Sequence, residues 1–147
     1  KTASAKELNR ALFAIEGTPE CLRVVRGLLE AKGNKVQEIP TSEKTRYHAA
    51  AVLASNHVVA LFNIAGSQLT QCGFSHEDAN KALAPLFLGN ALHIAQDGPL
   101  ESLTGPAERG DFETIAKHLS ILEGRARRAY EILNEEALEI AQEKHCL

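Results

Sequence analysis

The feature that most restricts the fold of this chain is a long stretch without charge. Between Arg46 and Glu77 there is no Asp, Glu, Lys or Arg. Apart from a few polar positions, residues 49–65 are Ala, Val, Leu, Ile or Phe. A helix over this stretch would be apolar on almost every side, so it would need packing partners around it. We therefore predict one central helix over residues 43–71, buried within a helical domain.

Five of the polar residues that begin or interrupt this helix fall on one side of it, whereas His57 faces away from them. At about 100° per residue they share an arc of roughly 120°; they are Lys44, His48, Ser55, Asn56 and Asn63. Buried polar groups are costly unless they are paired. This polar seam is therefore where we look for chemistry.

Charge and cysteine content restrict the partners and the compartment. The uncharged run is long enough to raise the possibility of a membrane span, but its His, Asn, Ser and Gln residues, without flanking aromatic belts, favour a buried soluble helix. A net charge of −3 gives no general attraction to nucleic acid or membranes, so we expect neither as a partner. The odd number of cysteines, without a C-x-x-C, favours a reducing cytoplasm. The six histidines show no H-x-x-x-H spacing, so no metal site is predicted.

The segment before the central helix predicts a strand, a helix and a second strand. A short apolar run at residues 12–15 precedes Gly17 and a helix start at Thr18-Pro19. Helical periodicity continues to Gly33, and residues 36–39 form the second candidate strand. This is a βαβ-sized unit, and because two strands do not make a stable sheet alone, it should be the edge of something larger.

Three further helices are predicted after the central one. The first opens at Ser75, the second at Asp111 and the last follows Gly124, with a Gly/Pro-rich break over residues 98–110. The predicted fold class is therefore mainly α: a βαβ remnant followed by a helical domain.

Four short blocks resemble one protein family in the same order along the chain. They are FAIEG at 13–17, YHAAAVLASN at 47–56, LTGPAERGD at 103–111 and HL at 118–119. They are similar to the Rossmann-like oxidoreductases whose helical C-terminal domain has no assigned function. These are relatives of pyrroline-5-carboxylate reductase, ketopantoate reductase and the β-hydroxyacid dehydrogenases, with a C-terminal domain like that of 6-phosphogluconate dehydrogenase.

The resemblance implies that the chain contains parts of two domains with different roles. Residues 1–41 would be the βαβ edge of a Rossmann domain that binds NADP or NAD, and residues 42–147 a helical domain for substrate contacts and homodimerisation. No G-x-G-x-x-G occurs in the sequence, and this motif is what places a pyrophosphate on a helix N-terminus. We therefore expect either the C-terminal part of a longer protein, inactive by itself, or a chain without cofactor binding, and we favour the former.

On the central helix, the resemblance implies catalytic roles for Lys44 and His48. They match the spacing of a Lys–Asn pair in the relatives, one helical turn apart, and His is a competent proton donor near neutral pH. The alternative is a solvated lysine and a hydrogen-bonded core histidine. Ser55 and Asn56 would contact substrate or a cofactor amide, or would instead tie the helix to its neighbours.

The loop over residues 104–111 is the other candidate for substrate binding. It lies where the reductases carry a substrate-binding turn, which implicates Thr104, Gly105, Arg109 and Asp111. Backbone amides entering the next helix, with Arg109 beside them, could hold a carboxylate. The alternative is an Asp111 N-cap and an Arg109–Glu108 surface pair.

These features support two hypotheses about function. The first is the C-terminal part of an NAD(P)-dependent oxidoreductase that acts on a small carbonyl, imine, hydroxy acid or amino acid. The second is a non-catalytic helical dimerisation module. Under both hypotheses we expect a homodimer, because the apolar helices need more partners than one short chain provides.

Overall fold

The computed structural model describes residues 11–146, which form two compact units. One unit ends at Ser55 and the other begins at Asn56. Helices dominate, and the described residues contain a single sheet of two strands. The predicted mainly α fold with a βαβ remnant is therefore confirmed. The predicted domain boundary after residue 41 remains a prediction.

The first unit begins with the predicted strand, helix and strand. β1 (Leu12–Ile15) and β2 (Lys35–Glu38) are parallel, with Leu12 opposite Lys35 and Ile15 opposite Glu38, and α1 (Pro19–Glu30) connects them. Thr18 caps α1 by accepting a hydrogen bond from the Cys21 amide at 3.4 Å. A short 3₁₀ turn (Thr41–Glu43) then leads into the next helix.

The single central helix predicted over residues 43–71 is wrong, because the chain forms two helices there. They are α2 (Lys44–Leu53) and α3 (Asn56–Gln71). At the junction the Ser55 amide donates to the Val52 carbonyl at 3.3 Å, an i to i−3 bond that tightens the turn. The Ser55 hydroxyl also donates to the Ala51 carbonyl at 2.6 Å, which is how serine competes with helix continuation.

The expected burial of this stretch is not found in the described chain either. No residue of α2 is buried, and Gly66 is the only buried residue of α3. The stretch Thr41–Gln71 is apolar and long enough to cross a membrane by length and composition, with a hydropathy of 1.5. However, α2 and α3 have 10 and 16 residues, and each is shorter than the roughly 20 residues that a span requires.

The second unit is a bundle of four helices. After α3 come α4 (His76–Ser102), α5 (Phe112–Ile121) and α6 (Gly124–Cys146). α3 packs on α4, where the rings of Phe62 and Phe87 meet edge to face at 5.6 Å, and α6 packs on each of the other three. α4 is interrupted at Gly98, whose φ of +82° lies in the left-handed region that glycine tolerates.

Much of the apolar surface of α4 remains open in this unit. Leu86, Leu88 and Leu92 are 73%, 58% and 54% exposed. The buried apolar residues of the described chain are few, namely Ile115 and three alanines, Ala79, Ala107 and Ala141. Exposed apolar patches of this kind mark interaction surfaces in soluble proteins.

Candidate functional site

An ion pair lies at the carboxyl end of β1. Glu16 follows the last residue of the strand, and its Oε1 accepts a hydrogen bond from Nζ of Lys44, the first residue of α2. The Lys44 side chain is 67% exposed and that of Glu16 is 24% exposed. The catalytic lysine predicted from the sequence is therefore accessible to solvent and held by a carboxylate.

The second carboxylate oxygen of Glu16 has no partner among the residues that the structure describes. Its Oε2 is buried and, within residues 11–146, accepts no hydrogen bond. Buried acceptors are normally paired, so this oxygen fits a donor group supplied by a ligand. Sequence reasoning missed Glu16, although an acidic residue directly after a parallel strand lies where open α/β sheets bind ligands.

His48 lies one turn after Lys44 on α2 and is exposed. The spacing places both side chains on one face of this helix. Its ring makes no hydrogen bond to any residue from 11 to 146, so the alternative of a hydrogen-bonded core histidine does not describe it. A catalytic role for His48 remains a prediction.

Ser55 and Asn56 occupy the break between the two helices. The Ser55 hydroxyl is engaged with the Ala51 carbonyl, as the structural alternative expected. Asn56 begins α3 and is exposed. Substrate contacts by either residue remain predictions.

The backbone amides of the loop before α5 donate hydrogen bonds to carbonyls within the same loop. The amides of Arg109, Gly110 and Asp111 donate to the carbonyls of Gly105, Ala107 and Pro106 at 3.2, 3.3 and 2.8 Å. These amides are therefore not available for the carboxylate that the sequence suggested they could hold. A carboxylate at this loop would depend on the Arg109 side chain.

Arg109 does not form the surface pair with Glu108 that is the alternative to substrate binding. Its side chain is exposed and forms no close ion pair with residues 11–146, although its charge helps to lower the pKa of Asp111. Glu108 Oε1 instead lies 3.9 Å from Lys144 Nζ and 3.9 Å from His145 Nε2. The Arg109 guanidinium thus remains open to a ligand.

The four loop residues do not converge on one pocket. Thr104 lines a cavity between α3, α4 and α6, whereas Arg109 lines a separate groove with Phe112 and His145. Gly105, with a φ of +93°, shapes the turn. The predicted substrate-binding set is therefore divided between two places.

Asp111 is the N-cap of α5. Its Oδ1 accepts the Thr114 amide at 3.0 Å and its Oδ2 accepts the Thr114 hydroxyl at 2.7 Å. These two bonds lower the pKa of Asp111 below its ordinary value of 3.8. The capping alternative is thus present in the structure, and substrate binding by Asp111 remains a prediction.

Replacing Asp111 should affect stability in a pH-dependent way. A carboxylate whose pKa is lowered by folding stabilises the fold above its unfolded-state pKa, and this contribution is lost as the pH falls through the folded-state pKa. Asp111→Ala should therefore lower the unfolding temperature at pH 7 by a few degrees, whereas Asp111→Asn should retain the cap and lose the acid dependence. Thermal unfolding followed by circular dichroism at pH 7 and pH 3 checks both. An alanine variant as stable as the parent at pH 7 would contradict the capping role.

Comparison with known proteins identifies the family. The chain is similar to protein TM1727 from Thermotoga maritima, with 28% identity and a TM-score of 0.79 over 91% of this chain and 54% of that protein. It also shares its fold with the putative NADP oxidoreductase BF3122 from Bacteroides fragilis, with 24% identity and a TM-score of 0.72 over 87% of this chain and 49% of that one. This chain thus spans about half the length of each. No curated protein matches it. A family described as a domain of unknown function, DUF2520, matches residues 11–137, and the chain belongs to that family.

Proposed function

We propose that this chain is the helical part of an NADP- or NAD-dependent oxidoreductase that acts on a small carbonyl, imine, hydroxy acid or amino acid. The observation that carries the proposal is the Lys44 ammonium, held by Glu16 at the carboxyl end of a parallel strand pair. Ligands bind open α/β sheets at this end. An exposed ammonium there can polarise a carbonyl or imine oxygen or nitrogen.

The family match and the structural similarity support an oxidoreductase function. The family covers most of the chain, and a protein of the same fold is described as a putative NADP oxidoreductase. Because this chain spans about half of that protein, the proposed activity is that of a full-length protein.

The residues of the first unit fit the proposed chemistry. A nicotinamide cofactor would supply or accept the hydride. Glu16 Oε2, buried without a donor from residues 11–146, would accept a hydrogen bond from a hydroxyl or carboxamide of cofactor or substrate. Lys44 would polarise the reacting bond, and His48, one turn away, would donate or accept the proton. The 147 residues contain no G-x-G-x-x-G, so contacts to the pyrophosphate would come from outside them.

Homodimerisation through the second unit and a cytoplasmic location belong to the same proposal. The exposed leucines of α4 supply an apolar surface for a second copy. Cys21, Cys72 and Cys146 are free thiols, which supports a reducing compartment. The other proposed partner is the small substrate. Neither nucleic acid nor a membrane is part of the proposal.

The competing function is a helical dimerisation module without catalysis. The extensive exposed apolar surface of α4 favours it. Under this function the Lys44–Glu16 pair would only fasten α2 to the end of β1. A His48→Ala change would then alter stability and nothing else.

Nucleotide binding and turnover by the full-length protein test the proposal. We expect NADPH or NADH fluorescence to rise on binding, with saturation, and bound nucleotide to raise the unfolding temperature. A panel of small carbonyl, imine, hydroxy acid and amino acid compounds should then include one that changes the nucleotide absorbance. Absence of nucleotide binding by a folded full-length protein would overturn the proposal in favour of the dimerisation module.

A further inference from the structure

The second unit contains a cavity that the proposed redox site does not use. It lies between α3, α4, α6 and the segment after α4, is open to solvent on one side, and its volume is about 430 Å³. Small-molecule sites typically occupy roughly 300–1,000 Å³. All of its lining residues belong to the second unit.

The composition of its walls selects against a charged ligand. Among the described residues 11–146, no Asp, Glu, Lys, Arg or His lines the cavity, and most of the lining is aliphatic. Five alanines contribute to the walls and leave the space open; they are Ala65, Ala107, Ala126, Ala129 and Ala137. A charge moved from water into such surroundings would be strongly unfavourable without a partner.

Three neutral polar side chains on the walls are uncommitted. Gln68, Thr104 and Asn134 line the cavity, and none of their side chains makes a hydrogen bond within residues 11–146. Tyr130 also lines the cavity, but the Tyr130 hydroxyl is hydrogen-bonded to Nδ1 of His118 at 2.9 Å. Burial raises the pKa of Tyr130 above its ordinary value of 10.0, so this wall stays neutral as well.

We propose that this cavity binds a neutral small molecule with an aliphatic body and one or two hydroxyl, carbonyl or amide groups. The aliphatic walls would take the body, and the amides of Gln68 and Asn134 with the Thr104 hydroxyl would meet the polar groups. A concave, mostly aliphatic space of this volume with a few neutral polar groups on its walls is the usual form of a small-molecule site.

The neutral fluorophore N-phenyl-1-naphthylamine provides the first test. Its fluorescence should rise on titration with the protein and saturate near one equivalent. Ala129→Leu, which fills the cavity, should weaken this binding by at least tenfold. Ala116→Leu is the matched control, because Ala116 is exposed on α5 and lies outside the cavity; it should bind the probe as the parent does.

Two further measurements keep the proposal open to contradiction. If Ala129→Leu does not fold, Ala137→Leu fills another wall of the same cavity and should have the same effect. Cyclohexanol should displace the probe better than methylcyclohexane, and Asn134→Leu should remove that preference. Equal probe binding by the filled variants would overturn the proposal and place the probe on exposed apolar surface. Dissociation of a homodimer by the filled variants, with probe binding only to monomers, would also overturn it, because a second copy would then be the occupant.

Loss of this cavity site would leave the redox proposal standing. The cavity test needs neither nucleotide nor turnover, and Lys44 and Glu16 do not line the cavity.

Discussion

Lys44→Met should lower kcat of the full-length protein by about 100-fold or more, the lower end of what a positioned proton-transfer or polarising group contributes. The ammonium held by Glu16 is the group that we expect to act on the reacting bond, and methionine retains the length of the side chain without its charge. Nucleotide binding should change little, because under this proposal the pyrophosphate contacts would come from outside these 147 residues. Steady-state kinetics with the substrate found in the compound panel, alongside an NADPH titration, measure both quantities.

Arg46→Met is the matched control for this experiment. Arg46 lies on the same helix, its side chain is 86% exposed, and it pairs with Glu43. Its removal should leave kcat within about twofold of the parent, since an exposed ion pair contributes little. Equal losses in the two variants, or an unchanged kcat in Lys44→Met, would contradict the assignment of Lys44.

Glu16→Gln should show whether Glu16 positions the Lys44 ammonium for catalysis or only attaches α2 to the end of β1. Glutamine can still accept a hydrogen bond from Lys44, but it cannot provide the opposite charge. We expect a lower kcat, because the ammonium would no longer be held by a carboxylate. An unchanged kcat with a lowered unfolding temperature would indicate that Glu16 only fastens α2 to the strand.

Leu88→Glu should dissociate the proposed homodimer. Leu88 and Leu92 lie one turn apart on α4, are more than half exposed, and share a face. A glutamate there would place an unpaired charge in an apolar interface, which costs roughly 3 kcal/mol and raises the dissociation constant about 100-fold. Size-exclusion chromatography with light scattering over a dilution series measures this shift.

His93→Glu is the control for the dimer experiment. His93 is on the same helix, and its side chain is 47% exposed and paired with Asp97 at 3.2 Å. This variant should dimerise nearly as the parent does. A parent that is monomeric at all concentrations would contradict the dimer, as would a Leu88→Glu variant that dimerises normally.

The elements that sequence reasoning predicted are those with local signals. Thr18-Pro19, Ser75 and Asp111 each begin a helix where predicted, because capping depends on neighbouring residues alone. β1 follows from a short apolar run that ends shortly before Gly17, whereas β2 contains one apolar residue, Val36, and lies shortly before Pro40.

The features that could not be predicted from the sequence depend on geometry that no local sequence pattern encodes. The break at Ala54–Ser55 contains neither glycine nor proline and rests on a single tightened turn. The Lys44–Glu16 pair joins residues 28 positions apart, so it becomes visible only once α2 follows the strand pair. The hydrogen bonds that occupy the backbone amides of the loop before α5 likewise depend on the turns of that loop, which the sequence does not reveal.

The most direct test of the central claim is whether Lys44 senses bound nucleotide. Lysines of the full-length protein can be methylated with ¹³C, and the Lys44 signal assigned by its loss in Lys44→Arg. We predict that this signal shifts during an NADPH titration and saturates with the same dissociation constant as the nucleotide fluorescence. Saturated nucleotide binding with an unmoved Lys44 signal would contradict a redox site at the Glu16–Lys44 pair.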